Sequence, residues 1–112
     1  MKRIGGNTKA IIQTGKTEKN SIGEGVKQWQ DVQTLTGWLD LSGGSSGYRA
    51  YSAKVQESTH LFICDYVPLA EGVKAESSRM VINGKVYDVM LIDDPMEMHV
   101  QLEIYLKYTG GQ

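Results

Sequence analysis

At 112 residues the chain has room for one domain with its own core and not for two. Hydrophobic residues make up 40% and charged residues 22%, an ordinary globular balance that argues against wholesale disorder. Twelve basic residues against 13 acidic ones give a net charge of −1, which disfavours a dedicated nucleic-acid binder and is permissive for self-association.

The chain opens MKRIGGNTKA, basic but without the apolar run of a signal peptide, and residues 1–9 read as a flexible arm. No stretch has the length and apolarity of a membrane-spanning helix, so the expectation is a soluble protein made in a cytoplasm, with no membrane partner. Ala10–Thr14 is a short strand candidate. TGKT, Thr14 to Thr17, carries the last letters of a phosphate-binding loop, but Ala10 stands where that pattern needs glycine and EKNSIGEG is no helix start. It reads as a plain turn, and EKNSIGEGVKQW as the loop that follows.

VQTLTGWLDL (Val32–Leu41) and HLFICDYV (His60–Val67) are rich in β-branched, aromatic and aliphatic residues and read as strands. Between them Ser42–Thr59 is a long Gly/Ser-initiated loop with room for a helical turn at 48–55; loops of this length in a small domain usually carry function or are disordered. The single cysteine, Cys64, excludes an internal disulfide and fits a reducing compartment. His60 shares its strand face but lies about 13 Å away by the strand rise, too far for a thiolate–imidazole pair. Cys64 is therefore expected to be a small buried residue.

PLAEGVKAES is a further loop. In SRMVINGKVYDVMLIDDP, Asn83-Gly84 between apolar runs is a strong two-residue hairpin signal, since both positions must accept positive φ. That turn sets Ile82 opposite Lys85, Val81 opposite Val86, Met80 opposite Tyr87 and Arg79 opposite Asp88. One face then carries Met80, Ile82, Tyr87, Val89 and Leu91, and the other Val81, Val86, Met90 and Ile92. Two apolar faces imply that the second is covered from outside, by another subunit. Met96–Leu106 alternates Met96, Met98, Val100, Leu102, Ile104 and Leu106 with polar residues and reads as one half-buried strand.

Two other groups bear on chemistry. Asp93, Asp94, Glu97 and His99 are competent metal ligands, yet an acidic turn stopped by Pro95, leading into a polar strand face, accounts for them without a metal. Trp29, Trp38, Tyr48 and Tyr51 suggest a base-stacking platform, but basic residues do not interleave with them, and the tryptophans are assigned to core and interface. No catalytic set, metal set or cofactor site assembles. The residues by themselves specify an all-β protein of five to six strands, an antiparallel barrel or sandwich, with one long early inter-strand loop.

The order of WQDVQTLTGWLDLSGG, STHLFICDYV, MVINGKVYDVMLIDDP and MHVQLEIYLKY resembles the head-closure proteins of long-tailed bacteriophages, also called head-completion, stopper or head-tail joining proteins. The resemblance implies a single small antiparallel β-barrel over residues 1–112. It implies a homo-oligomeric ring, six-fold or twelve-fold, beneath the portal and adaptor, in the virion at the head-tail interface. Such a ring closes the exit channel for packaged double-stranded DNA and offers a docking surface to a tail terminator or tail-completion protein. The channel loop would be 42–59, with Gly43, Gly44, Ser45, Ser46 and Gly47 as hinge and Tyr48, Arg49, Tyr51 and Lys54 facing DNA or a neighbour. Val81, Val86, Met90 and Ile92, with Lys2 and Arg3 of the arm, would meet a subunit or the adaptor. The alternatives are a tail-side connector protein and a monomeric single-strand nucleic-acid-binding barrel.

Overall fold

The computed structural model describes residues 3–41 and 57–111. Among the described residues six strands run in chain order: β1 Thr8–Lys19, β2 Gly25–Leu41, β3 His60–Asp65, β4 Ser78–Ile82, β5 Lys85–Asp93 and β6 Gln101–Gly111, with a 3-10 turn at Pro95–Glu97. All pairings are antiparallel, and the order β1-β2-β3-β6-β5-β4 closes the sheet on itself as a barrel. The all-β expectation holds, and closure decides between barrel and sandwich.

The interior is filled by alternate residues from every strand. Ala10 and Ile12, Leu35, Phe62 and Cys64, Met80 and Ile82, Tyr87 and Val89, and Leu102, Ile104 and Leu106 form one buried cluster. Period-two alternation produces this arrangement, because successive Cβ atoms leave opposite faces of a strand. The Asn83-Gly84 turn has φ of 52° and 78°, and the four cross-strand pairs it sets are those read from the sequence.

Three differences from the sequence reading have identifiable causes. First, β1 and β2 are far longer than expected, so TGKT lies inside a strand, Thr14 to Thr17 paired with Gln30 to Lys27, and only Asn20–Glu24 remains as a turn. Beyond Thr14 the two strands leave the barrel as a ribbon with both faces in solvent, so no apolar alternation marks them. Second, β6 begins at Gln101. Met96, Glu97 and His99 have φ of 56°, 54° and 55°, left-handed backbone incompatible with a strand. Met96 is 89% and Met98 63% exposed, so the first two members of the apolar series are in water.

Third, the register of β5 on β6 slips between Val89, opposite Leu106, and Leu91, opposite Tyr105, leaving Met90 as an extra residue. A one-residue bulge exchanges the faces of everything after it. Leu91 therefore leaves the inner face, and Ile92, expected on the outer strip, pairs with Ile104 and packs against the core. The β1–β2 register slips too, between Ile12 and Gln13: Gln33 pairs with Ile12 but Asp31 with Gln13, leaving Val32 extra where the ribbon departs.

The barrel has two distinct ends. Leu41 and His60 are register partners, so β2 ends and β3 begins at one end, near the Asn83-Gly84 turn and the close of β6. The ribbon, the β3–β4 loop and the 94–100 turn lie at the other.

Candidate assembly surfaces

The N-terminal segment is tied to the barrel wall. Asp65, the last residue of β3, accepts hydrogen bonds from the Ile4 amide at 2.9 Å and the Gly5 amide at 3.0 Å. The indole Nε1 of Trp38 donates to the Ile4 carbonyl at 2.8 Å, and the Asn7 amide donates to Gly37 O at 3.0 Å. Where a flexible arm through residue 9 was expected, Thr8 and Lys9 already belong to β1 and Ile4 and Gly5 are docked. Lys2 lies outside the described residues. Arg3 is close enough to add its positive field to Asp65.

These two amides, with Arg3, hold the Asp65 carboxyl below the usual carboxylate range. A carboxylate whose folded pKa is depressed stabilises the fold above its unfolded pKa, and that contribution is lost as pH falls through the folded value. The N-terminal clasp is thus expected to hold at neutral pH and to open only below about pH 4, near the unperturbed aspartate value. Amide exchange at Ile4 and Gly5 followed by NMR should accelerate there, and Asp65→Asn should show fast exchange already at pH 7.

Cys64 faces the interior at 1% exposure, as the sequence suggested. Burial, and secondarily the charge of Asp65, push its thiol up to about 11. The thiolate is the reactive form, so iodoacetamide at pH 8 should label Cys64 only in the unfolded protein; rapid labelling under native conditions would refute this.

At the root of the ribbon, Trp29 lies beneath two cations. The Arg79 guanidinium is 4.1 Å and the Lys27 ammonium 4.7 Å from the ring, within cation–π range. Gln13 links them to the acidic side: its Nε2 donates to Asp31 at 2.7 Å and its Oε1 accepts from Arg79 Nε at 2.7 Å. Beside this cluster, Lys27, Trp29, Glu76, Ser78, Asp88 and Met90 line an open cleft of about 390 Å³. Neither tryptophan belongs to the buried core, a correction to the sequence assignment: Trp29 is half-buried under cations and Trp38 is exposed over the N-terminal segment.

Val81 and Val86 oppose one another on the outer face and are half-buried, and Met90 is half-buried at the bulge; Ile92 has left that strip. The channel-loop residues Gly43, Gly44, Ser45, Ser46, Gly47, Tyr48, Arg49, Tyr51 and Lys54, and the helical turn expected at 48–55, lie outside the described residues. The Asp94 and His99 side chains pair directly, and the His99 amide donates to Asp94 Oδ1 at 3.0 Å. Asp94 thereby staples the turn that replaces the start of β6. Asp93 beside it is pushed up, by burial and then by the charge of Asp94. Among the described residues no group of three His, Cys, Asp or Glu side chains could hold a metal.

The sequence reading missed the polar side chains that position loops. Gln33 donates from Nε2 to Pro68 O at 3.0 Å and accepts the Ala70 amide at 2.7 Å, fixing the β3–β4 loop to the edge of β2. Asp65, Gln13 and Gln33 act on partners 18 to 66 positions away, and no local pattern announces such pairs.

Comparison with known proteins agrees with this architecture. The solution structure of protein SF1141 from Shigella flexneri 2a matches with a TM-score of 0.70 and 20% identity, covering 100% of both chains. A chain from the virion of a native gene transfer agent particle matches with a TM-score of 0.59 and 12% identity, covering 94% of this chain and 96% of that one. At these identities the likeness is one of fold. No curated protein sequence gives a significant match. The sequence profile described as phage head completion protein matches residues 1–107. That match spans nearly the whole chain, and the chain belongs to the phage head completion proteins, structural proteins of the virion.

Proposed function

We propose that this chain forms a homo-oligomeric ring below the portal and adaptor, closes the DNA exit channel after packaging, and offers the surface on which a tail docks. The observation that carries this reading, beside family membership, is the two-ended barrel. The ribbon, with exposed Ile22 at its tip, and the turn bearing Met96 and Met98 form one end; exposed Leu41 and the Asn83-Gly84 turn mark the other. A joining protein needs two unlike surfaces, one toward the head and one toward the tail, and exposed apolar residues at both ends of a small barrel suit that task. In this reading segment 42–59 closes the channel, and its Gly/Ser run lets it withdraw when DNA leaves. Val81, Val86 and Met90 form the outer strip that meets a neighbouring subunit or the adaptor, and the basic residues Lys2 and Arg3 serve as a further contact to either. A near-neutral chain also suits a channel through which DNA slides, since every added phosphate contact strengthens grip.

The test is particle assembly with the chain deleted, read by electron microscopy and by the DNA content of heads. Free full-length tails beside heads that have lost DNA are the expected result. Filled heads that lack only a tail would favour the tail-side connector reading, and normal joined particles would refute both.

A further inference from the structure

Two backbone edges of the ribbon are open. β1 meets β4 only from Ile11 to Thr14, and the Gly15 amide, donating to Ser77 O at 3.3 Å, makes the last bond on that side. At the tip the Asn20 amide donates to Glu24 O at 2.8 Å. Bonded and non-bonded pairs alternate along an antiparallel ladder. Counting back from Asn20 and Glu24, Glu18 with Val26 and Lys16 with Gln28 bond one another, while Thr17 with Lys27 and Lys19 with Gly25 point their amides and carbonyls outward. Among the described residues those outward groups of Thr17 and Lys19 on one edge, and of Gly25 and Lys27 on the other, have no backbone partner.

We propose that these two edges pair with each other between neighbouring copies of this chain, β2 of one protomer beside β1 of the next, so that the ribbons form a continuous antiparallel wall around the ring axis. The proposal rests on the ring reading above and deepens it. Strand addition at an open edge is a common mode of association, because main-chain bonds supply its affinity. The occupant follows from direction. In a ring every ribbon points the same way; β1 runs toward the tip and β2 away from it, so neighbouring β2 and β1 are antiparallel without any inversion. The two edges differ, which makes the contact heterologous, the kind that generates rings. With the ribbons level, Lys16 faces Gln28, Thr17 faces Lys27, Glu18 faces Val26 and Lys19 faces Gly25, so no like charges oppose. Lys16, Lys19 and Lys27 meanwhile discourage pairing with unrelated strands.

The test uses particles of the phage that encodes the chain, assembled with an equal mixture of Thr17→Cys and Lys27→Cys. Because each chain carries one new thiol, and Cys64 is buried, disulfides can form only between chains. Mild oxidation should give dimers containing one of each variant, and neither variant alone should give them. In parallel, Thr17→Pro removes an outward amide while leaving the β1–β2 bonds intact. Its melting temperature should stay within a few degrees of the parent while its incorporation into particles falls at least tenfold; Thr17→Ala, which keeps the amide, should assemble normally. A chain present in particles without mixed dimers, and with Thr17→Pro assembling like the parent, would overturn edge pairing. A disulfide to a different virion protein would overturn the second copy as occupant. Absence of the chain from particles would instead overturn the ring reading itself.

Discussion

Phe62→Ala is expected to cost about 4 kcal/mol of folding stability, the middle of the range for deleting a fully buried aromatic ring. Phe62 has no exposed surface and is the largest of the fully buried side chains. It sits at the centre of β3, opposite Leu39 on β2 and Ile104 on β6, where the barrel wall joins its first and second halves. A barrel interior collapses poorly around a void, since every neighbour is held by a hydrogen-bonded strand, so the cavity term is retained almost in full. Domains of this size have about 5–15 kcal/mol in total, and the variant should therefore sit near the edge of folding. Urea denaturation would show the midpoint falling with the slope unchanged. A loss below about 1 kcal/mol would mean that the ring is not a core element.

Gly37→Val is expected to be comparably damaging, by about 3 kcal/mol, for the opposite reason: it adds atoms where there is no room. A Cβ on Gly37 would stand 2.3 Å from the Ile63 carbonyl oxygen, 2.8 Å from Cys64 Cβ and 2.9 Å from Phe62 Cζ. The nearest of these is backbone and cannot move without shifting β3. Gly6 is under the same constraint from the other side, since its own Cβ would fall 2.3 Å from Gly37 Cα. Two glycines in contact thus let the N-terminal segment lie flat on β2, within reach of Asp65 and Trp38. The substitution should lower the melting temperature and, at temperatures where the barrel still folds, speed amide exchange at Ile4 and Gly5. Retention of both the parent melting temperature and slow exchange would refute the close approach.

Both sites show what a linear reading reaches and what it does not. Phe62 was legible as a strand residue among apolar neighbours, whereas Gly37 inside TLTGWLDL gives no sign that a second glycine, 31 positions earlier, needs its missing side chain. The family was legible too, because the ordered succession of strands and turns survives in the sequence when single motifs are uninformative; the match over residues 1–107 bears it out.

The features legible along the chain are those that local physics controls. The Asn83-Gly84 turn accepts positive φ at both positions and so dictated four cross-strand pairs correctly. Alternation in β3, β4 and the first half of β6 separated inner from outer residues, because each strand buries one face. The remaining features come from contacts between distant strands. The ribbon is held by backbone pairing without burial, which leaves no hydrophobic trace. The bulge at Met90 turns Ile92 inward to satisfy closure with β6, a demand set by the partner strand. Left-handed backbone at Met96, Glu97 and His99, stapled by Asp94, overrides an apolar alternation that by itself reads as strand. Pairing register and closure are properties of two or more strands together, and a pattern along one strand cannot contain them.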